Sequence, residues 1–350
     1  MSQTESKFFS KCDFSKRVIN ESLDKMITTW EFPRFDRYDQ ALKKNGYPMG
    51  TIYQTLRLDS KRFADIRSGV RAQDLLNIFH AIVNQTQDTR LGVKLGNMRT
   101  PRQMGTRFYI SFFSKTLRSA LKDFLFFSAL EIPLLKIEIE EGNQDTEIRF
   151  EYSVNDPAIT FEIDIDIITI VNLIRELLIL PGWSPDLATT MFTLDPARQD
   201  ALSAVIRCPI GQKKTKNSII FPSKTLDLEL RSVDPFAKKI MTDEFYRNLD
   251  KFFSGTNFAL RTEYYIAKCY EHYEQMVNLE TVAASFSMSE THYQRALSKE
   301  GKNFRKIRGD FVFKIAGALI GSGVDYSIVA NQLGYSSVNS FSRFMNGHSI

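Results

Sequence analysis

The hydrophobic period of this chain changes once, at Asp234-Pro235, and that change limits which folds it can adopt. Before it lie two stretches of strict alternation, Leu135-Lys-Ile-Glu-Ile-Glu140 and Glu147-Ile-Arg-Phe-Glu-Tyr152, separated by the turn formers Glu141-Gly-Asn-Gln-Asp145. Such a pattern predicts a β-hairpin with one buried face. After it the alternation stops, and apolar residues recur at three- and four-residue spacing as far as Phe344. That spacing predicts helices only. The chain therefore reads as an α+β domain over 1–235, a connecting segment over 236–256 with a helix from Phe236 to Phe253, and an all-α domain over 257–350.

Within the first domain, helix spacing is found at Ser22–Trp30, Gln73–Val83 and Thr116–Ile132. Ile163-Asp-Ile-Asp-Ile167 opens as an alternating strand with Asp164 and Asp166 on its polar face, and the apolar run continues helically to Leu180, where Pro181-Gly182 stops it. Short strands are predicted at Thr189–Leu194, Ile219–Pro222 and Thr225–Leu230, and Phe124–Phe127 is assigned to the core.

With 43% hydrophobic and 25% charged residues over 350 positions, both domains have the material for a core without disulfides or metals. Cys12, Cys208 and Cys269 are odd in number and far apart, as expected of reduced thiols in a cytoplasm. The polar stretch Met1–Lys11 is not a secretory signal, and no apolar run has the length of a membrane span. His80, His272, His292 and His348 have no metal-ligand spacing. There is no glycine-rich phosphate loop, no His-Glu metal helix and no glycine-flanked nucleophilic serine, so an enzyme is not expected and no cofactor is called for. The net charge of +5 is less informative than its location: Arg295, Lys299, Lys302, Arg305, Lys306 and Arg308 face only Glu290 and Glu300 between Ser289 and Arg308.

That basic run lies in a helix-turn-helix pattern. Asn278 caps a helix with inner positions Val282, Ala283 and Phe286; Met288 plugs the corner; Ser289 caps a second helix with inner residues Tyr293 and Leu297. The outer face of that second helix presents Glu290, Thr291, Gln294, Arg295 and Lys299, with His292 at its edge. A helix of this kind fits the major groove, where Arg and Gln read base edges. The unit recurs. Asp325 caps a helix with Val329, Ala330 and Leu333 inside, Gly334 supplies the turn, Tyr335 is the apolar corner, and Ser336 starts an outer helix carrying Ser337, Asn339, Ser340 and Arg343, with Phe341 inward. Between the units, Phe304–Ile320 reads as one amphipathic helix with Ile307, Phe311, Ile315 and Leu319 inside. At 1.5 Å per residue it spans about 25 Å, which suits two reading helices set about one DNA turn, roughly 34 Å, apart.

Residues 257–347 resemble the DNA-binding domain of the AraC/XylS family of transcriptional regulators. Leu279-Glu-Thr-Val-Ala283, Met288-Ser289, Arg295-Ala-Leu297, Glu300-Gly301 and Phe304-Arg305 follow its first unit and linker helix. Val329-Ala330-Asn-Gln-Leu333-Gly334-Tyr335-Ser336 and Ser340-Phe341-Ser342-Arg343 follow its second. In the first domain, Leu91-Gly-Val-Lys-Leu-Gly96, Gly105, Thr116-Leu117 and Ala120-Leu121 are similar to the arabinose-binding-type sensor of the branch that includes ornithine- and arginine-responsive regulators.

The resemblance implies an effector-sensing and dimerising domain followed by a domain that contacts promoter DNA and RNA polymerase. It implies a cytoplasmic activator that forms homodimers and answers a small-molecule effector, whose site it does not identify; Arg67, Arg71 and Lys94 could meet an anion, but basic residues scattered in this way are usually solvated. The DNA-contacting set it implies is Glu290, Thr291, His292, Gln294, Arg295, Lys299, Arg305, Ser336, Ser337, Asn339, Ser340 and Arg343. The chain departs from the family pattern at Val312, where an Arg is usual, and after Arg343, where Phe344-Met345-Asn346 meets Gly347 about three residues early. The second departure predicts a shortened second unit. It opens an alternative: a degenerate member that acts through protein contacts without gripping DNA.

Overall fold

The computed structural model describes residues 42–43, 49–56 and 72–348, apart from 132–134, 153–155, 192–194, 213–215, 255–257, 274–275 and 322. The expected helix at Ser22–Trp30, and with it Cys12, Arg67 and Arg71, lies outside them. The described residues form two compact units, one up to Lys251 and one from Phe252 onward.

In the first unit, helices α1 (Met49–Thr55), α2 (Ala72–Thr86), α3 (Leu91–Met98), α4 (Thr106–Phe112) and α5 (Leu117–Glu131) precede the hairpin β1 (Leu135–Glu141) and β2 (Asp145–Tyr152). There follow α6 (Thr160–Leu178), β3 (Leu187–Thr190), α7 (Pro196–Ile206), β4 (Ile210–Gln212), β5 (Asn217–Pro222) and α8 (Pro235–Ser254). The five strands form one sheet in the order β1-β2-β5-β3-β4. All pairs are antiparallel except β3 with β4, where Ala188 lies opposite Ile210. The hairpin register, Ile137 opposite Phe150 and Ile139 opposite Ile148, is the one its alternation predicts. Thr146, Ile148 and Phe150 face inward.

Helix α6 is the centre of this unit and corrects the reading of its first turns. Residues 163–167 are helix, not strand, and Asp164 and Asp166 are buried rather than facing solvent. The alternation of Ile and Asp misleads because a helix surrounded by protein on all sides needs no polar stripe. Each carboxylate instead has a partner from another element. Arg198 on α7 donates from Nε to Asp164 Oδ2 and from Nη2 to Asp164 Oδ1, both at 2.8 Å, and Nη2 also donates to the Thr160 carbonyl at 2.9 Å. The Tyr152 hydroxyl donates to Asp166. Burial pushes the Asp164 carboxyl above the usual carboxylate range, and the guanidinium works against that shift.

The Leu91–Gly96 motif explains how α6 is covered. A Cβ on Gly92 would sit 2.3 Å from the Phe161 carbonyl oxygen, and one on Gly96 would be 3.0 Å from Ile168. The two glycines, one helical turn apart, let α3 lie against α6 backbone to backbone. Lys94, between them, is exposed and paired with Asp88.

Two further expectations change. Thr225–Leu230 is not a strand: Ser223–Asp227 is a 3₁₀ turn, and only the bridge of Glu229 with Thr116 is strand-like. The strand expected over Thr189–Leu194 runs Leu187–Thr190, with 192–194 outside the described residues. Phe124, Leu125 and Phe127 are core as expected. Phe127 meets the rings of Phe245 and Tyr246 on α8 at 4.5 and 6.0 Å.

The second unit is all helix: α9 (Phe258–Tyr273), α10 (Leu279–Ser285), α11 (Glu290–Lys299), α12 (Phe304–Gly321), α13 (Tyr326–Gln332) and α14 (Val338–His348). Ile307, Phe311, Ile315 and Leu319 of α12 are buried as their spacing predicts. So is Val312, where an arginine would need a buried partner. Among the described residues of either unit, no helix is long and apolar enough to cross a membrane.

Candidate nucleic-acid interface

The first helix pair is closed at its N-terminal ends by side chains and at its C-terminal ends by backbone turns. Asn278 Oδ1 accepts from the Thr281 amide at 2.8 Å and starts α10. Val282 and Ala283 are buried beneath it. At its end Ser287 takes a left-handed φ of 55°, and the Met288 amide returns to the Ala283 carbonyl at 3.0 Å. Ser289 Oγ then accepts from the His292 amide and caps α11.

Two fully buried residues, Tyr293 and Leu297, hold α11 in place. The Tyr293 ring stacks on Phe286 with centroids 5.4 Å apart, and its hydroxyl bonds to Thr262 of α9. Burial pushes that phenol up to about 12. Arg261 lies over the Phe286 ring at 4.4 Å. Past the helix end, Glu300 accepts from the amides of Phe258 and Ala259, 2.9 Å each, so the residue that ends α11 also caps α9. Gly301 turns the chain with φ 69°, and the Lys302 amide returns to Leu297.

The second pair repeats the plan. Asp325 Oδ1 accepts from the Ser327 amide at 2.8 Å and starts α13 over buried Val329, Ala330 and Leu333. Gly334 has φ 79°, and the Tyr335 amide returns to the Ala330 carbonyl at 3.0 Å. The outer helix starts later than expected. Ser337, not Ser336, accepts from the Ser340 amide, and the helix begins at Val338. Phe341 is fully buried between Tyr326 and Tyr335, at 4.8 and 5.1 Å.

The expected shortening after Arg343 is not found. Helix α14 continues to His348, whose ring meets Phe344 at 4.2 Å and Phe313 of α12 at 5.9 Å. Gly309 leaves room for it, since a Cβ there would lie 2.8 Å from His348 Nε2. Gly347 does not interrupt the helix because the aromatic contact of the next residue holds the last turn.

Of the twelve residues read from the sequence as DNA contacts, Glu290, Thr291, His292, Gln294, Arg295 and Lys299 are exposed on α11, and Arg305 is exposed at the start of α12. Ser336, Ser337, Asn339 and Arg343 are exposed on or before α14, and Ser340 is half-buried. The Arg343 guanidinium folds back toward the Asn339 carbonyl, with Nε 3.4 Å away. Arg308 of the basic run is half-buried and donates to the Val277 carbonyl at 3.0 Å, so it braces the entry to α10. Arg295, Lys299, Lys302, Arg305 and Lys306 are exposed and form no ion pair among the described residues. Lys302, Lys306 and Val338 are exposed beside the expected set but were not assigned to it. The two lysines were visible in the basic run; Val338 was hidden by the misplaced start of α14.

Residues 46–230 match the model of the N-terminal arabinose-binding domain of AraC transcription regulators. Among solved structures, the transcriptional regulator CdpR from Pseudomonas aeruginosa is similar, with 15% identity over 86% of this chain and 93% of that chain and a TM-score of 0.44. No curated protein matches in sequence. Since the matched domain spans more than half of its length, the chain belongs to the AraC family of transcription regulators that carry an N-terminal arabinose-binding domain.

Proposed function

We propose that this regulator binds promoter DNA sequence-specifically through α11 and α14, laid in adjacent major grooves, with α12 as the spacer. The domains of the proposal are 1–235 for effector sensing and dimerisation, 236–256 as connector and 257–350 for DNA. The observation that carries the reading is the exposed cation set Arg295, Lys299, Lys302, Arg305 and Lys306, unpaired among the described residues, beside a capped helix whose inner face is fully buried. In this reading Arg295 reaches a guanine edge, where Arg binds O6 and N7 as a fork. The other four neutralise phosphates and set the register. Glu290 and Gln294 refine base choice; Ser337, Asn339 and Ser340 serve the second groove. The protein acts in the cytoplasm as an activator touching RNA polymerase, and a small molecule at the first unit sets its activity. The alternative is a degenerate, protein-binding member with a short second unit; that α14 runs to His348 favours the DNA-binding reading over it.

Anisotropy titrations of the full-length protein with labelled duplexes, at stepped salt, test this. Four phosphate contacts predict log affinity falling against log salt with a slope of about −3 to −4, from roughly 0.9 per phosphate. A flat response, or no binding to any duplex at low salt, overturns the reading.

A further inference from the structure

The two outer helices offer different chemistry to the groove. On α11 the exposed face carries Glu290, Thr291 and Gln294, then Arg295 as the sixth residue of the helix, and Lys299. On α14 the exposed residues of the start are Ser336, Ser337, Val338 and Asn339, with no charge among them. Val338 is 42% exposed in the first turn of the helix, beside Asn339. The first cation along this helix is Arg343, whose side chain is turned back along the helix toward the Asn339 carbonyl. The aromatic anchors Tyr326, Tyr335 and Phe341 are already packed on one another, and the exposed part of Val338 is left outside that packing.

Recognition helices meet base edges with their N-terminal residues. In the major groove, a G·C pair presents O6 and N7 acceptors that suit a guanidinium. An A·T pair presents the adenine N6/N7 donor-acceptor pair that suits an Asn amide and, beside it, a thymine methyl that suits an apolar side chain. An isopropyl group at the tip of such a helix gains by leaving water only against an apolar group, and the thymine methyl is the apolar group of this groove. Asn339 next to it carries an amide whose NH2 can donate to adenine N7 and whose oxygen can accept from adenine N6.

Resting on the DNA-binding reading above, we infer that the second helix reads A·T pairs, Val338 against a thymine methyl and Asn339 against adenine, while the first reads G·C through Arg295. The binding site is then polarised. A guanine-bearing segment is followed, about one turn or roughly 34 Å away, by thymine-bearing steps, and the protein reads its orientation from base composition.

The test uses the full-length protein and a duplex recovered by selection from a randomised library. Each thymine is replaced in turn by deoxyuridine, which deletes the methyl and keeps the pairing. Replacement at one or two positions, about a turn from the guanines protected by Arg295, should weaken binding about fourfold, the worth of one methyl-sized apolar group. Val338→Ser and the similar-sized Val338→Asn, neither of which carries a methyl, should bind the thymine duplex more weakly and lose that sensitivity, whereas Arg295→Ala should keep it. Asn339→Ala should relax selection at the adjoining adenine. If uridine has no effect at any position, or an equal effect on Val338→Ser and on the unaltered protein, the inference is overturned while DNA binding stands. Val338 is then a contact for another protein or for none. If the protein selects no sequence and binds no duplex, the DNA-binding reading fails and takes this inference with it.

Discussion

Helices α10 and α13 end by the same device and differ in one residue. In both, the amide five residues past an alanine, Met288 in one and Tyr335 in the other, returns to that alanine's carbonyl at 3.0 Å. In both, the residue before it is left-handed, but that residue is Ser287 in the first unit and Gly334 in the second. Beyond the turn the contrast reverses. The first unit carries a strained corner and a charged outer helix, held by Tyr293, Leu297 and the Glu300 cap on α9. The second has a relaxed corner and an outer helix with a single Arg and no acidic residue, held by Phe341 and by His348 against α12. Two units with one backbone plan therefore differ in what they expose, because the inner face decides where the helix lies and the outer face is free to vary.

The largest effect that tests this comparison is on seating. Phe341→Ala should destabilise the second unit by about 3–5 kcal/mol, the usual cost of emptying a fully buried phenylalanine site. Leu297→Ala in the first should cost about 2–5 kcal/mol. Denaturant unfolding of the full chain measures both. A loss for Phe341→Ala no larger than that of a surface change would mean that α14 is not seated as described.

Next in size is base discrimination. Arg295→Ala should remove about 1–3 kcal/mol, the value of one Arg–guanine fork, and with it most sequence preference. Arg343→Ala should cost less than about 1 kcal/mol, since an exposed side chain turned back on its own helix is worth little more than one phosphate contact. Competition titrations with specific and scrambled duplexes compare the two. An equal or greater loss of preference for Arg343→Ala would break the assignment of guanine reading to the first unit.

The smallest effects sharpen the corners. A Cβ at Gly334 meets nothing closer than Met276 at 4.0 Å, so Gly334→Ala costs only the left-handed backbone, about 1–2 kcal/mol. Ser287→Gly relieves the same strain but loosens the unfolded chain, for a net gain of about 0.5–1 kcal/mol. Thermal unfolding should move in opposite directions for the two substitutions. A destabilising Ser287→Gly would show that the serine contributes more than its backbone shape.

The local signals carried furthest. The caps Asn278, Ser289 and Asp325, the hairpin register and the inner face of α12 follow from residue type and spacing within a few positions, because capping and periodic burial are satisfied within one or two turns of chain. The failures share one cause. Asp164 and Asp166 look like a solvent face until Arg198 and Tyr152 arrive from other elements to pair with them. The end of α14 looks short until Gly309 and Phe313 of α12 receive His348. Arg308 looks like one more cation for DNA until its guanidinium meets the Val277 carbonyl.

By itself, then, the sequence determined the class of each unit, the family and the place of the basic run, since these depend on patterning within single elements. Only the tertiary structure decided which polar groups are buried with partners, where α14 begins and ends, and that Val338 stands exposed in its first turn. A buried charge, a helix end and an exposed side chain are each set by atoms that lie elsewhere in the chain and meet only when it is folded.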